Sequence, residues 1–299
     1  MFFKGRVKPI FESTGQQAMS DPTVPNPTTP YGALVETRIR VVTWNLWWRL
    51  GDWKARADAI AETLKDLQPD LVCLQEVWQE GDLNQAVLLA RHLGMAHAFV
   101  LDRQEGEIDQ GVALLCRWPL AEIETKPLPV PAGVEHPNMA IRAVVEGPRG
   151  PLLAVTTHLT PYPTRSEYRE QQVRALVEFV AERQRKPPIC ILCGDFNAPP
   201  DSDEVRLLTG RRAPVVAGHV FLDAWETAGD STPGYTMDKR NPNSAPLLLP
   251  DLRWDYVFAS WPSGRGGVGH PVRAAVIGTE EKSGVVPSDH YGVLAELRY

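Results

Sequence analysis

The sequence predicts a sandwich of two mainly antiparallel β-sheets with helices on its outer faces. Short apolar runs typical of strands outnumber the amphipathic helical segments. Several neighbouring runs are separated by turn residues, as around the segment GPRG at 147–150, which favours antiparallel pairing. The regular pattern extends from about residue 37 to the end of the chain. We therefore expect one domain over residues 37–299.

Amphipathic periodicity predicts the helices. A helix is expected over residues 52–67, where it must stop before Pro69, and a second over 82–94, with Gly94 as its stop. A long helix is expected over 165–185 and a short one within 201–210. The stretch 226–250 is rich in Gly, Pro and Asn, so we expect a loop there.

Apolar runs predict the strands. They are the segments 38–44, 70–76, 96–100, 111–117, 140–147, 151–159, 187–195, 252–260, 272–278 and 291–299. The pair of runs on either side of residues 147–150 indicates a hairpin.

Residues 1–36 differ from the rest because they are rich in Pro and Thr and lack a period. We expect a disordered or extended tail, with Met19 as well as Met1 a candidate translation start. No apolar run is long enough to span a membrane, and the first residues do not resemble a signal peptide. We therefore expect a cytoplasmic protein by default. We also expect a monomer.

The formal net charge of −6 argues against a protein that coats nucleic acid, although it does not exclude an enzyme that cleaves it. Cys190 and Cys193 form a C-x-x-C pattern. In a strand, residues three apart point to opposite faces, so the two sulfurs cannot share a metal. We interpret these two, with Cys73 and Cys116, as inert core residues.

Polar residues stand where the apolar runs end or begin. Asn45, Glu76, His158 and Asp195 close four runs, and Asn197 follows two positions after Asp195. Two other runs open with such residues, which are Asp255 and the pair Asp289 and His290. If the second set of strands runs antiparallel to the first, all these side chains meet at one edge of the sandwich.

These residue types suit the hydrolysis of a phosphate ester. Carboxylate and amide oxygens are the ligands of a hard cation such as Mg²⁺. A cluster of carboxylates is costly unless a cation compensates it. The two histidines can carry protons or donate to an anionic oxygen. Asp195 and Asn197, two apart on an extended chain, are expected to share a face, with Phe196 packing on the other.

Six short motifs, TWN, LQE, THL, GDFN, RWDYVF and SDH, stand in the order found in the endonuclease/exonuclease/phosphatase superfamily, which has the deoxyribonuclease I-like fold. The chain resembles that superfamily from about residue 39 to 297. The resemblance implies a four-layer α/β sandwich and divalent-metal-dependent cleavage of phosphoester bonds, with Mg²⁺ as the ion and Mn²⁺ as a substitute.

The resemblance also implies roles for individual residues. Asn45, Glu76 and Asp289 would form the metal site, with Glu76 as principal ligand. Asp195 would activate or orient the attacking water, although the family leaves open whether it or His290 is the formal base. Asn197 would hold the phosphate or the attacking water. His290 would contact the scissile phosphate, with Asp255 orienting it, and His158 would stabilise or protonate the leaving oxygen.

Other residues are more weakly indicated. Trp47 follows the first motif and Arg165 follows the third, so both are candidate substrate-binding residues. Tyr168 and Arg169 could also reach phosphate, and Asp109 is a candidate acidic partner for His158. The sequence TWNLWW lacks the second acidic residue that apurinic-site endonucleases carry after the asparagine, which argues against abasic-site repair.

The substrate is left open. We expect a phosphodiesterase or nuclease whose substrate is a phosphoester, nucleic acid being favoured. The alternative is a phosphatase or phosphodiesterase for a small molecule or lipid headgroup, such as a sphingomyelin-like, sugar or inositol phosphate. A non-catalytic binding module is disfavoured because it would be expected to lose one of Glu76, Asp195 or His290.

Overall fold

A computed structural model describes residues 31–105, 107–131, 136–183, 189–262 and 264–299. Residues 1–30, most of the predicted tail, lie outside the described residues, as does the end of the third predicted helix. No helix in the described ranges combines the length and apolarity needed to cross a membrane.

The predicted sandwich is confirmed in the described part of the chain. The first sheet contains β1 (Arg38–Asn45), β2 (Leu71–Glu80), β3 (Leu83–Asn84), β4 (Ala96–Glu105), β5 (Ile108–Cys116), β12 (Pro271–Ile277) and β13 (Gly292–Arg298). Its strand order is β12-β13-β1-β2-β5-β4, and the short β3 pairs with β2.

The second sheet contains β6 (Leu120–Pro127), β7 (Met139–Gly147), β8 (Gly150–His158), β9 (Cys190–Asp195), β10 (Phe221–Asp223) and β11 (Asp255–Ser260). Its order is β10-β11-β9-β8-β7-β6. The predicted hairpin is the antiparallel pair β7–β8. The sequence prediction omitted β6, whose side chains are mostly exposed and therefore show no apolar period. It also omitted the short β3 and β10.

The helices are α1 (Trp53–Leu67), α2 (Gln85–Leu93), α3 (Ser166–Ala181), α4 (Asp203–Leu208) and α5 (Ala224–Ala228). The side chain of Asp52 caps α1 by accepting from the Ala55 amide, and α1 ends at Gln68 in the left-handed region, directly before Pro69. Gly94 ends α2 in the same way, as predicted. Helix α5 overlaps the start of the stretch expected to be a loop.

Three apolar layers hold the four structural layers together. Between the sheets, side chains such as Val41, Leu114 and Ile191 are fully buried or nearly so. Ile60 of α1 packs on the outer face of the first sheet, and α3 packs through residues such as Val173 on the outer face of the second. The resulting order of helix, sheet, sheet and helix is the four-layer sandwich that the resemblance implied.

Each sheet has one parallel pair at its centre. Strands β1 and β2 are parallel and joined through α1, and strands β8 and β9 are parallel and joined through α3. A parallel pair requires such a crossover helix. The flanking strands β13 and β11 run antiparallel to β1 and β9 respectively, so their first residues lie beside the last residues of those strands.

The C-x-x-C pair lies on β9 as predicted, with its side chains on opposite faces. Cys193 packs between the two sheets, and Cys190 packs in the layer beneath α3. Burial raises the pKa of Cys190 to about 12 and that of Cys193 well above its ordinary value, since a buried thiolate is poorly solvated. All four cysteines are free thiols, in keeping with inert core residues.

Candidate active site

The polar strand ends meet at one edge of the sandwich, where the carboxyl ends of β1, β8 and β9 lie beside the start of β11 and the residues before β13. In the second sheet, Asp195 lies opposite His158 on one side and Asp255 on the other. In the first sheet, Asn45 lies beside Gln75, the residue before Glu76. The predicted convergence of these side chains is therefore what the strand directions produce.

Asn45 connects the two sheets at this edge. Its amide nitrogen donates to Glu76 Oε1 and to Asp195 Oδ2, both at 3.1 Å. Its Oδ1 accepts from the backbone amide of Trp47 at 2.9 Å. The role of Asn45 as a metal ligand stays a prediction, since its Oδ1 accepts one hydrogen bond and an amide oxygen has two lone pairs. In the structure Asn45 donates to one carboxylate from each sheet and thereby links Glu76 to Asp195.

Glu76 lies within β2 rather than at its end, because the strand continues to Glu80. Its φ of +52° places it in the left-handed region, and the pairing of β2 with β5 is irregular between Leu74 and Val77. A β-bulge inserts an extra residue and re-aims a side chain. This bulge points the Glu76 carboxylate into the cavity at the sheet edge.

His290 and Asp255 form a buried pair. His290 Nδ1 lies 2.9 Å from Asp255 Oδ2, and His290 Nε2 lies 3.8 Å from Asp195 Oδ2. Burial by itself lowers the pKa of His290, but the carboxylates of Asp255, Asp195 and Asp289 outweigh it and raise that pKa well above its ordinary value. Burial raises the pKa of Asp255 as well, so the carboxylate and the imidazole are closely coupled across this 2.9 Å hydrogen bond.

Asp195, Asn197 and His158 form the other half of the site. Asp195 Oδ1 accepts from the Asn197 backbone amide at 2.9 Å, and Asp195 Oδ2 lies 3.6 Å from His158 Nε2. The Asn197 amide nitrogen donates to Leu159 O at 3.0 Å. Phe196 turns to the opposite face, as predicted, and packs edge-on against Tyr256. Asp195 and Asn197 both line the cavity.

Asp289 adds a buried carboxylate to the site, and few described groups compensate its charge. Burial raises the pKa of Asp289 to about 7, with Glu76 and Asp195 adding to the effect against the opposing His290 charge. The only hydrogen bond to its carboxyl within the described ranges comes from Ser288 Oγ, at 3.4 Å. A buried carboxylate with so little compensation is stabilised by a bound cation.

Among the described residues, Asp195, Asp255 and His290 each place one ligand atom within 4.8 Å of the others. Asp255 Oδ1 is buried without a hydrogen-bond partner among those residues, so this group has an oxygen to offer a cation. Glu76 and Asp289 line the same cavity, and their carboxylate oxygens are the ligand type that a hard divalent cation prefers.

A cavity of about 530 Å³ opens above these residues. Its polar lining includes Glu76, Asp102, His158, Asp195, Asn197, Asp289 and His290. The other lining residues are Arg103, Gln110, Val130, Pro131, His136, Asn138, Thr160, Pro161, Tyr162, Arg165, Met237, Leu247, Leu249 and Trp254. Its volume is that of an ordinary small-ligand site.

The candidate substrate-binding residues differ in position. Arg165 lines the cavity. Trp47 does not, because its ring lies against the guanidinium of Arg56, 4.7 Å away, and close to Gly51. Arg169, which we expected could reach phosphate, is buried and paired with Glu204. Tyr168 contacts Arg165 but is not among the cavity residues.

Asp102 is a cavity residue that sequence reasoning missed. It falls at the irregularity of β4 between Leu101 and Arg103, and its two carboxylate oxygens are buried without a partner among the described residues. Burial raises its pKa to about 7, while the charge of His158 opposes that rise. Asp102 lines the same cavity as His158, whereas Asp109 does not, and the carboxylate in contact with His158 is Asp195. An aspartate inside an apolar strand is the only sequence signal for it.

Comparisons with known proteins agree with this fold. A sequence model of the Endonuclease/Exonuclease/phosphatase family matches residues 42–290. Protein angel of Drosophila melanogaster is 27% identical over 177 residues, which cover 54% of this chain and 49% of that protein. The chain therefore spans about half the length of that curated relative.

Solved structures show the same fold. TDP2 of D. rerio, complexed with a single-strand DNA product, has a TM-score of 0.69 at 22% identity and covers 88% of this chain and 100% of its own. Truncated C. elegans TDP2 has a TM-score of 0.68 at 17% identity, with 89% and 100% covered. The human Nocturnin catalytic domain with bound sulfate anion has a TM-score of 0.63 at 22% identity, with 87% and 94% covered.

Proposed function

This chain belongs to the endonuclease/exonuclease/phosphatase family, and on that premise we propose that it is a divalent-metal-dependent phosphodiesterase. The observation that carries the proposal is the convergence, at one cavity, of Asp195 with two histidines and with the carboxylates of Glu76 and Asp289. Proton carriers and anionic ligands for a cation are the parts that phosphoester hydrolysis requires.

The geometry supports distinct roles for the two residues that could act as base. The carboxylates around His290 raise its pKa, which favours the protonated form, so it is suited to donate from Nε2 to a phosphoryl oxygen. Asp195 is the acceptor: it takes a proton from water as the water oxygen bonds to phosphorus. Asp255 holds the His290 ring through the 2.9 Å contact.

His158 is suited to protonate the leaving oxygen as its bond to phosphorus breaks. It lies on the other side of Asp195, at 3.6 Å, so the attacking and leaving positions have separate groups. Asn197 is fixed by its bonds to Leu159 and Asp195, and its side chain contributes to the cavity where the phosphate would bind. Arg165 provides a cation at the cavity wall.

Glu76 and Asp289, with Asn45 beside them, would hold the cation, for which Mg²⁺ is the best fit and Mn²⁺ a substitute. When bound, such an ion polarises the phosphoryl oxygens and stabilises the charge that develops on them. Burial raises the pKa of Asp289 to about 7, so its ionised form would be stabilised by a bound cation.

The substrate class rests on weaker support. A nucleic acid is favoured because TDP2 of D. rerio, with the same fold, was solved with a single-strand DNA product. The cavity of about 530 Å³ has the size of a small-ligand site, which favours a small phosphodiester or a single-stranded end over an intact duplex. A lipid headgroup or another small phosphoester is therefore the second candidate.

A substrate panel tests the proposal. The purified protein is incubated with plasmid, single-stranded DNA, RNA, bis(4-nitrophenyl) phosphate and 4-nitrophenyl phosphate, each with Mg²⁺, Mn²⁺ or EDTA. We expect cleavage of diesters with either ion and none with EDTA. Failure to turn over any substrate with any ion would contradict the proposed activity.

The assigned roles are tested with variants on a cleaved diester. His290→Ala should lower kcat by roughly 10²- to 10⁴-fold, as expected when a proton donor at the phosphate is removed. Asp195→Asn should lose activity comparably. His97→Ala is the matched control, because His97 is exposed and does not line the cavity. Full activity in His290→Ala would show the mechanism to be wrong.

A further inference from the structure

One aromatic residue of the cavity wall has an unusual backbone. Tyr162 lines the cavity, its side chain is 62% exposed, and its φ is +77°. A bulky residue rarely adopts a positive φ, because Cβ then crowds the backbone. Such a conformation persists only where the surrounding structure over-determines it, and it recurs at ligand-contact sites.

The surroundings of Tyr162 do over-determine its backbone. Arg169 on α3 donates from Nη1 to Tyr162 O at 2.7 Å and to Thr160 O at 3.3 Å. The same guanidinium donates from Nε to Glu204 Oε1 on α4 at 2.9 Å. Arg169 is 3% exposed and Glu204 is 0% exposed, so this is a buried, charge-assisted clamp on the loop.

A second side chain of α3 fixes the base of the same loop. Gln172, one turn after Arg169, accepts from the Thr160 amide at 2.9 Å and donates to Thr160 Oγ1 at 2.8 Å. Its Nε2 also lies 3.0 Å from Asn138 Oδ1, which ties in the neighbouring cavity loop. Buried polar groups on two helices thus hold the backbone of Tyr162, while its ring remains exposed at the cavity.

Part of the cavity lining is apolar, and its residues are Pro161, Met237, Leu247, Leu249 and Trp254. Arg165 lines the cavity as well, and its backbone amide donates to Tyr162 O. An exposed aromatic ring on a loop whose backbone is fixed in this way is suited to stack against a planar group, an interaction that tolerates different ring chemistries.

We propose that Tyr162 is a stacking residue for a planar aromatic substituent of the phosphoester substrate, with Arg169 and Glu204 as positioning residues. The inference rests on the proposed function, because it places this substituent beside a phosphate bound at Asp195 and His290. The aromatic group could be a nucleobase, separated from the phosphate by a sugar, or an aryl group attached to the phosphate directly.

Calorimetric binding of phosphomonoesters tests the subsite without requiring turnover. Two matched pairs are titrated in Mg²⁺: phenyl phosphate against methyl phosphate, and adenosine 5′-monophosphate against ribose 5-phosphate. We expect the aromatic member of at least one pair to bind about fivefold tighter or more. The pair that shows the preference identifies whether the planar group is a directly attached aryl or a base.

The variant Tyr162→Ala should abolish that preference, and Tyr162→Phe should keep it. Because the Tyr162 side chain is largely exposed, neither change should lower the unfolding temperature appreciably. A wild-type protein that binds both members of each pair equally, or binds none of them, overturns the proposal. So does a preference that survives in Tyr162→Ala.

The positioning role has its own test. Arg169→Lys keeps the positive charge beside Glu204 but loses the fork that reaches Thr160 and Tyr162 together. We expect the aromatic preference to fall at least about threefold while methyl phosphate binds as before. Arg174→Lys, on the exposed face of the same helix, is the control. An unchanged preference in a folded Arg169→Lys protein would refute the positioning role.

The proposed activity and this inference can fail separately. If the protein turns over no substrate of the panel but still binds the aromatic phosphomonoesters more tightly, only the proposed activity is refuted.

Discussion

At the scale of single residues, the site is defined by carboxylates that burial disfavours in their charged form. Asp102 and Asp289 both have a pKa raised to about 7, chiefly by burial. Asp102 has no described partner for either oxygen, and Asp289 has one long hydrogen bond. In the absence of a cation, ionising these two groups lowers the free energy of unfolding, because their charges are buried without compensation.

These shifts predict how the stability of the metal-free protein depends on pH. The folded state retains protons on Asp102 and Asp289 that the unfolded chain releases between about pH 4 and pH 7. His290, whose pKa is raised, also binds a proton more tightly when folded, and its contribution fades as pH rises. Stability should therefore fall as pH increases, and in EDTA we expect an unfolding temperature about 5 °C or more lower at pH 8 than at pH 5.5.

The variant Asp102→Asn isolates one part of this effect. It should unfold at a higher temperature than wild type at pH 8 and should show a smaller drop between the two pH values. Asp109→Asn is the control, because Asp109 does not line the cavity. An unfolding temperature that rises with pH in EDTA would contradict the assignment.

At the scale of elements, backbone irregularities position the acidic groups. Bulges in β2 and β4 both face the segment of β5 around Gly111, and they direct Glu76 and Asp102 into the cavity. A regular strand would alternate its side chains strictly between the two faces. The two carboxylates therefore depend on departures from the ladder on either side of one strand.

Gly194 shows how tightly the central strands approach each other beneath the site. A Cβ atom added there would lie 2.2 Å from the carbonyl oxygen of Thr157 on β8, and its φ is +153°. Gly194→Ala should therefore lower the free energy of unfolding by about 3 kcal/mol or more, since neither strand can shift without breaking the ladder. Urea denaturation measures the change.

The control for this variant is Gly264→Ala, where an added Cβ would have no neighbour within 4 Å. We expect that change to be within about 0.5 kcal/mol of wild type. A Gly194→Ala protein as stable as the control would show that the close contact with Thr157 is not a constraint.

At the scale of the whole molecule, the site lies at the junction of the two sheets. Glu76 and Asp289 belong to the first sheet and its adjoining segment, and Asp195 belongs to the second. Asn45 bridges the two by bonding to both Glu76 and Asp195. A cation held at this junction would bind only the folded state, and such a ligand stabilises the whole fold.

Cation binding should accordingly raise the unfolding temperature. At a Mg²⁺ concentration 100 times the dissociation constant, linkage predicts about 2.7 kcal/mol of stabilisation. Glu76→Gln should lose most of this shift. Glu80→Gln, at the end of the same strand and paired with Arg49, should retain it. Equal Mg²⁺-dependent shifts in the two variants would remove Glu76 from the cation site.

The elements and most of the site were predictable from the sequence because their signals are local. The period of α1 and the alternation that separates Asp195 from Phe196 are set by backbone geometry within a few residues. The strand directions then followed from a single assumption about antiparallel pairing, which β11 and β13 confirm. Polar residues at strand ends such as His158 and Asp255 could therefore be assigned to one edge.

Periodicity and strand-end position are properties of the chain, so the sequence alone was enough to predict the layered fold and the polar residues that meet at one sheet edge. The folded chain was needed to show that Asp102 lines the cavity, that Asn45 bridges two sheets, and that Trp47 packs against Arg56. A bulge exists only relative to a partner strand, as for Asp102. The backbone of Tyr162 likewise depends on Arg169 and Glu204, residues of two helices that only the folded chain brings together.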